Sequence, residues 1–204
     1  MTSLVQSLNS ATRKIPAWIL YVLGMVPVAA LTLQLFNGQL GIDPVKTLEH
    51  ELGEIALQLL IAGLAITPLR NAFGLNLIKF RRAIGLLAFA YVVMHLGVWL
   101  FLDMQLLMQQ ILKDLVKRWY ITIGMFGLLL MIPLALTSNN LSLRKLGAAN
   151  WRKLHKLTYG AVLAGAIHYV ILVKGWQLEP LIYLAIVVLL LAMRIPPLKR
   201  VRLV

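Results

Sequence analysis

Four histidines are the side chains in this sequence best suited to chemistry: His50, His95, His155 and His168. The 204 residues contain no cysteine, which excludes thiol catalysis, disulfides, iron–sulfur clusters and Cys-type zinc sites. Any metal must be held by His, carboxylate, Met or Tyr. Neutral imidazole is the commonest metal ligand and titrates near neutrality, so metal ligation and proton transfer are the chemistries in play. His95 and His168 stand deep in apolar runs. His155 precedes one such run, and His50 opens another beside Glu49, Glu51 and Glu54.

The elements that must position them are read from composition. Sixty per cent of the residues are hydrophobic and 13% charged, whereas soluble domains average about 45–50% apolar and about 25% charged. There is too little polar surface to cover a globule in water, so the chain reads as an integral membrane protein. A membrane-spanning helix needs about 20 mostly apolar residues. Six stretches qualify, near 16–36, 50–69, 83–102, 119–137, 156–173 and 179–195. The expected fold is an all-α six-helix transmembrane bundle, one domain over 1–204. The first span reads as a retained helix rather than a cleaved signal, because no small-x-small site follows it. The connections near 70–82, 103–118 and 138–155 read as loops or short amphipathic segments. No internal repeat is visible.

Charge orients this bundle. Fifteen of the 20 basic residues lie on one side: Arg13 and Lys14; Arg70, Lys79, Arg81 and Arg82; Arg144, Lys145, Arg152, Lys153 and Lys156; Arg194, Lys199, Arg200 and Arg202. The other side has Lys46, Lys113, Lys117, Arg118 and Lys174, with all seven acidic residues: Asp43, Glu49, Glu51, Glu54, Asp103, Asp114 and Glu179. The positive-inside rule then puts both termini in the cytoplasm. The net charge of +13 is a topology signal against the lipid bilayer and needs no nucleic acid.

On this reading His95 and His168 reach the same depth, in the outer half of the bilayer, on helices running the same way. Ionisable residues at such depth are costly and mark function. Two imidazoles so placed suit axial ligation of a haem between them; the plainer reading is a pair hydrogen-bonded to neighbouring helices. His155 lies 13 residues before His168, about 20 Å of helical rise. That separation would suit a second, inner haem, but Arg81 and Arg82 stand where its other ligand is needed, and the two side chains point about 140° apart on an ideal helix. His155 also reads as an interfacial residue near lipid head groups. His50 reads as a solvated interfacial residue, or as one facing a propionate, a quinone head group or a partner. Arg81, Arg82 and Arg152 are candidate propionate partners for an inner haem, and Lys46 or Arg118 for an outer one. Tyr91, Tyr159, Trp99 and Trp151 read as packing or interfacial residues, or as the lining of a haem or quinone site.

Several short motifs occur in a telling order: Gly41-Ile42-Asp43-Pro44-Val45-Lys46 with His50 and Gly53; Ile66-Thr67-Pro68-Leu69; Arg81-Arg82 with Gly85; His95-Leu96; Leu136-Thr137-Ser138; Trp151 with Leu154-His155 and Tyr159; Ile167-His168-Tyr169; and Pro180-Leu181-Ile182-Tyr183 with Arg194. Across about residues 15–195 the chain resembles the MsrQ (YedZ) family, the haem-binding membrane subunits of the bacterial methionine-sulfoxide reductase system within the ferric-reductase-like transmembrane group. The resemblance implies a multi-pass b-type cytochrome of the bacterial inner membrane. It would carry electrons rather than perform the final catalysis. The implied acceptor is a periplasmic molybdopterin-containing subunit that reduces methionine sulfoxide in oxidised envelope proteins. The implied donor is quinol from the quinone pool, or a cytoplasmic flavin reductase, with FMN associated with the family. Its haem-iron ligands carry over onto His95, His168 and, through a second haem, His155.

No Gly-rich phosphate loop of the dinucleotide type is present, so electrons are expected from a lipid-soluble quinol or a separate reductase rather than from a bound nicotinamide. The competing expectations are a quinone-linked or metal-reducing cytochrome b with another acceptor, and a small transporter or scaffold whose histidines relay protons or pack. The last is weakened by the missing inverted repeat and the few glycine-broken spans.

Overall fold

The chain is described by a computed structural model covering residues 3–173, 175 and 177–194. Nine α-helices form among these residues: α1 (Ser3–Lys14), α2 (Ile19–Phe36), α3 (Pro44–Phe73), α4 (Arg81–Gly97), α5 (Met108–Lys117), α6 (Trp119–Leu136), α7 (Asn140–Leu154), α8 (Leu157–Leu172) and α9 (Leu178–Ala192). No strand is found among the described residues. Lys174, Lys199, Arg200 and Arg202 of the charge pattern, and the end of the sixth apolar stretch, lie outside them.

The longest helix, α3, has 30 residues, about 45 Å. Its start is set by Pro44 in the first turn and by Asp43, whose Oδ1 accepts a hydrogen bond from the Lys46 backbone N–H at 3.1 Å. Both choices suit the first helical turn, where N–H groups lack intrahelical partners. Its end is set by Gly74 at φ +74°, a left-handed conformation that costs glycine little. After Gly97, α4 continues as a π-helical segment, Val98–Asp103. The Met104 N–H reaches the Trp99 carbonyl at 2.8 Å, and Gln105 and Leu106 then take left-handed φ values of 48° and 58°. This wide turn ends the span sharply and throws the chain sideways into α5.

The helices stand between two ends of contrasting charge. At the acidic end, Lys46 Nζ bonds Asp103 at 2.7 Å and Glu49 at 3.3 Å, tying the start of α3 to the end of the π segment. At the basic end, Asn9 of α1 bonds the Gly74 carbonyl and the Asn76 N–H, Lys79 bonds the Arg13 carbonyl at 3.0 Å, and Arg82 bonds Asn140 at 2.9 Å. The separation of charge read from the sequence is thus a feature of the fold.

Four helices, α3, α4, α6 and α8, make the centre. Leu57, Leu60 and Leu64 of α3 pack with Ala88 of α4, Met131 of α6, Ala161, Val162 and Ala166 of α8, and Val187 of α9. Small residues bring α6 and α8 together: a Cβ on Gly127 would stand 3.4 Å from that of Ala164. Close backbone approach is how helices gain attraction in lipid, where burial against a neighbour offers no hydrophobic gain. A second cluster joins α2 to α3 and α4 through Leu31, Leu52, Ala56 and Tyr91.

α2, α3, α4 with its π extension, and α6 are long and apolar enough to cross a membrane. α8 and α9 are apolar but have 16 and 15 residues, less than the expected 156–173 and 179–195. Two of the connections expected as loops or short amphipathic segments are short helices. The 103–118 stretch carries α5, whose Ile111 is buried while Leu112 and Val116 are exposed. The 138–155 stretch carries α7, broken at Gly147 with φ +74°. Ahead of the first span, α1 is a further helix.

Tyr91 is fully buried and its hydroxyl donates to the Gly24 carbonyl at 2.6 Å, holding α2 on α4. Removing the hydroxyl in Tyr91→Phe should cost about 1 kcal/mol. In detergent the thermal midpoint should fall by about 2–4 °C with unchanged helix content.

Candidate functional site

His95 of α4 and His168 of α8 come together. Their ring centroids are 6.2 Å apart, with the planes 82° from parallel. Each Nδ1–H donates to a backbone carbonyl of a neighbouring helix: His95 to Glu49 on α3 at 2.8 Å, and His168 to Tyr120 on α6 at 2.6 Å. With Nδ1 occupied, Nε2 is the nitrogen each ring has free. A partner on the far ring nitrogen is what fixes the tautomer and orientation of a metal-ligating imidazole.

The two anchors are built alike. Glu49 and Tyr120 lie four residues before Gly53 and Gly124, so each carbonyl is also the helical acceptor of that glycine's N–H. A Cβ on Gly53 would sit 3.0 Å from Nδ1 of His95, and one on Gly124 would sit 2.9 Å from Nδ1 of His168. The glycines are therefore windows through which the rings reach the helix backbone. Towards the basic end, a side chain near the start of α4 and one just before α8 each meet a threonine on the partner helix or at its end. Arg81 donates to the Thr67 hydroxyl, and His155 Nε2 lies 3.1 Å from the Thr137 hydroxyl. The hairpin of α3 and α4 and the pairing of α6 with α8 thus repeat one set of contacts, though the sequence shows no repeat.

A cavity of about 300 Å³ lies at the pair. Its wall is apolar around Leu57, Leu60, Val92, Trp99, Leu128 and Met131. Towards the acidic end it is polar, with Lys46, Glu49, His50, Glu54, Arg118 and Tyr120. Lys46 already faces Glu49 and Asp103, and Arg118 Nε lies 3.3 Å from Asp114. The Tyr120 hydroxyl, with Asp114 and Asp103 contributing less, holds the Arg118 guanidinium above its ordinary pKa. Both cations therefore stay charged at the rim.

The pair suits one metal ion held between two imidazoles. Two metal–nitrogen bonds of about 2 Å, plus about 1 Å from each nitrogen to its ring centre, put collinear rings about 6 Å apart. The observed 6.2 Å is the same separation. Among the described residues no group of three or more His, Cys, Asp or Glu could form a metal cage.

The other sequence candidates lie elsewhere. His155 does not line the cavity. It stacks on Trp151 with centroids 3.7 Å apart, and burial lowers its pKa, so the ring is neutral at pH 7. Arg81 and Arg82 are engaged by Thr67 and Asn140, and Arg152 is exposed; none lines the cavity. Trp99 does line it, whereas Tyr91 bonds Gly24, Tyr159 bonds Arg194 at 2.9 Å, and the Trp151 indole N–H bonds the Thr137 carbonyl at 2.9 Å.

Residues 23–166 match the family described as ferric reductase like transmembrane component. Proteins named protein-methionine-sulfoxide reductase heme-binding subunit MsrQ are similar over 178 residues, covering 87% of this chain and 80% of theirs. Identity is 49% for the protein of Brucella anthropi and 50% for those of Brucella ovis and Brucella canis. The chain belongs to the MsrQ family.

In this MsrQ-family chain, Gly53 and Gly124 are the site residues that reading for reactive side chains passes over. Glycine carries no chemistry, and its signal is geometric: one stands on each helix facing a half-buried histidine. Adding a methyl group there should push the rings off their carbonyls. Gly53→Ala and Gly124→Ala should each destabilise the protein by about 1–3 kcal/mol, as overpacking does. Gly85→Ala, with open space around its Cβ position, should leave the thermal midpoint unchanged or raised.

Proposed function

We propose that this chain is a membrane b-type cytochrome that binds one haem between His95 and His168 and carries electrons to a methionine-sulfoxide reductase. The carrying observation is the pair of imidazoles 6.2 Å apart, each anchored through Nδ1 to a helix carbonyl. The names of the MsrQ relatives support haem as the ligand and a methionine-sulfoxide reductase as the partner.

When bound, the haem iron supplies reversible one-electron transfer. The chain's residues do the rest. His95 and His168 would hold the iron through their free ring nitrogens, and an iron held by two imidazoles would suit electron transfer rather than oxygen chemistry. The backbone carbonyls at Glu49 and Tyr120 raise imidazole basicity and hold the rings still, so little rearrangement accompanies a change of charge. Leu57, Leu60, Val92 and Leu128 exclude water. Lys46 and Arg118, charged at the rim, are the cations best placed for propionates. His155 is left out of this ligand set, because its Nε2 is spent on Thr137 and its ring lies outside the cavity. Arg81, Arg82 and Arg152 are likewise assigned to the basic end rather than to propionates.

All six apolar helices cross the bacterial inner membrane in this reading. The basic end faces the cytoplasm and the acidic end, with the haem, faces the periplasm. Electrons enter from the quinone pool, or from a cytoplasmic flavin reductase with FMN as carrier. They leave to a periplasmic molybdopterin-containing subunit docking at the acidic end.

Two measurements test this. Dithionite-reduced-minus-oxidised visible spectra of the detergent-purified protein should show a b-type signature with about one haem per chain. His95→Ala and His168→Ala should abolish it, and His155→Ala should keep it. A colourless protein made with ample haem would sink the cytochrome reading. For topology, alkaline phosphatase fused after Leu106 should be active, and fused after Arg144 inactive.

A further inference from the structure

A polar cluster faces the membrane beside the haem cavity, and the pair of histidines does not use it. Gln58 lies eight residues beyond His50, between Leu57 and Leu59, about 12 Å down α3 by helical rise. It is exposed, with Ile182 and Ile186 of α9 exposed nearby on the helix that carries its partner. Its amide nitrogen donates to Glu54 Oε1 at 2.8 Å and to the Tyr183 hydroxyl at 2.9 Å; that hydroxyl also donates to Glu54 Oε1 at 2.9 Å. Gln58 and Tyr183 thus each donate to one carboxylate oxygen, and the second Gln58 N–H goes to the Tyr183 hydroxyl. Two acceptors are left over. Glu54 Oε2 and the Gln58 amide oxygen accept no hydrogen bond among the described residues. In the topology proposed above, Gln58 lies about 12 Å below His50 into the bilayer, where polar side chains are expensive and mark function.

Spare acceptors call for a donor, and the membrane-facing position calls for one that dissolves in lipid. The neighbouring chemistry narrows it further. Glu54 lines the haem cavity as well as binding Gln58 and Tyr183. The preceding residue, Gly53, lies against the His95 ring. Tyr169, next to His168, lines the same wall with its ring centroid 6.0 Å from that of Tyr183. The cluster is therefore a proton-accepting site directly beside an electron-accepting one. A water-soluble nucleotide does not reach this depth.

Building on the haem reading above, we infer that Glu54, Gln58 and Tyr183 form the binding site for a lipid-soluble hydroquinone, with Glu54 the acceptor of its protons. One hydroquinone hydroxyl donates to Glu54 Oε2, and the Gln58 amide oxygen is the second acceptor at the ring. Oxidation to quinone breaks both O–H bonds and releases two electrons and two protons. The electrons pass singly to ferric haem, each moving on before the next arrives. The first proton goes to the Glu54 carboxylate. It leaves towards the acidic end, where exposed His50 and Glu51 stand one turn away on the same helix face; the second proton then follows the same route. Gln58 and Tyr183 act as positioning residues, holding Glu54 with one oxygen free.

The test uses full-length detergent-purified protein with its haem, mixed anaerobically with a short-chain ubiquinol or menaquinol analogue in a stopped-flow spectrometer. The wild type should show haem reduction that saturates with quinol. Glu54→Gln should lower the maximal rate at least tenfold, while haem per chain and the dithionite-reduced spectrum stay as in wild type. Gln58→Leu and Tyr183→Phe should raise the quinol concentration for half-maximal rate several-fold with a smaller effect on the maximum. A purely structural role for the triad would lower haem content or thermal stability instead and leave the quinol rate per haem unchanged; that result overturns the proposal. Haem-loaded wild type that quinol fails to reduce overturns it too and leaves the haem reading standing. Wild type without haem overturns both.

Discussion

Everything at this site depends on two hydrogen bonds, from the Nδ1–H of His95 and of His168 to the carbonyls of Glu49 and Tyr120. A buried imidazole without them would be free to rotate and would carry an unsatisfied polar group at membrane depth. The bonds need the rings to approach a helix backbone, which a side chain at position 53 or 124 would prevent. Two glycines therefore set which helices can be neighbours. α4 must lie against the face of α3 bearing Gly53, and α8 against the face of α6 bearing Gly124. The central packing of Leu57, Ala88, Met131 and Ala161 follows from that choice of faces. So does the placing of both rings on one cavity.

The acidic end supplies the second constraint. A span that simply ended at residue 97 would leave its last carbonyls bare. Instead the helix widens into the π segment, which brings buried Trp99 into the cavity wall and Asp103 onto Lys46. π segments within α-helices are uncommon and gather at functional sites. Here the segment starts three residues after His95. It also delivers α5, whose Ile111 and Leu115 pack with Trp99, Met104 and Ile121 to close that end. Lys46 is the knot: it joins α3 to the π segment and lies on the cavity rim.

Much of this was legible in the sequence because hydrophobic runs and charge are one-dimensional signals. The apolar spans, the sorting of charge between two ends and the matched depth of His95 and His168 all read directly. The boundaries read less well. α3 extends six residues ahead of its expected start at 50, because capping by Asp43 and Pro44 lets a helix run on through Lys46 and Glu49 beyond the apolar part. The spatial repeat of the two helix pairs was not legible. It rests on backbone carbonyls and on glycines, and its second layer pairs Thr67 with Arg81 but Thr137 with His155, residues that share geometry and not identity. The Glu54–Gln58–Tyr183 triad was hidden for another reason, since Tyr183 on α9 lies more than 120 residues from Glu54 and Gln58 on α3.

That second layer also explains why the two levels of the bundle differ in chemistry. At the level of His95 and His168 both rings keep a free nitrogen and face a cavity. One helical length away, the corresponding positions hold an arginine and a histidine, and both spend themselves on threonine hydroxyls. A guanidinium is permanently cationic and a donor only, so Arg81 offers no lone pair to a metal. What it offers is charge, and Lys79, Arg82 and Arg194 stand at the same end. One architecture thus builds a pair of imidazoles at the acidic end and a cationic cluster at the basic end. The difference comes from residue type at two equivalent positions, with the helix packing around them unchanged.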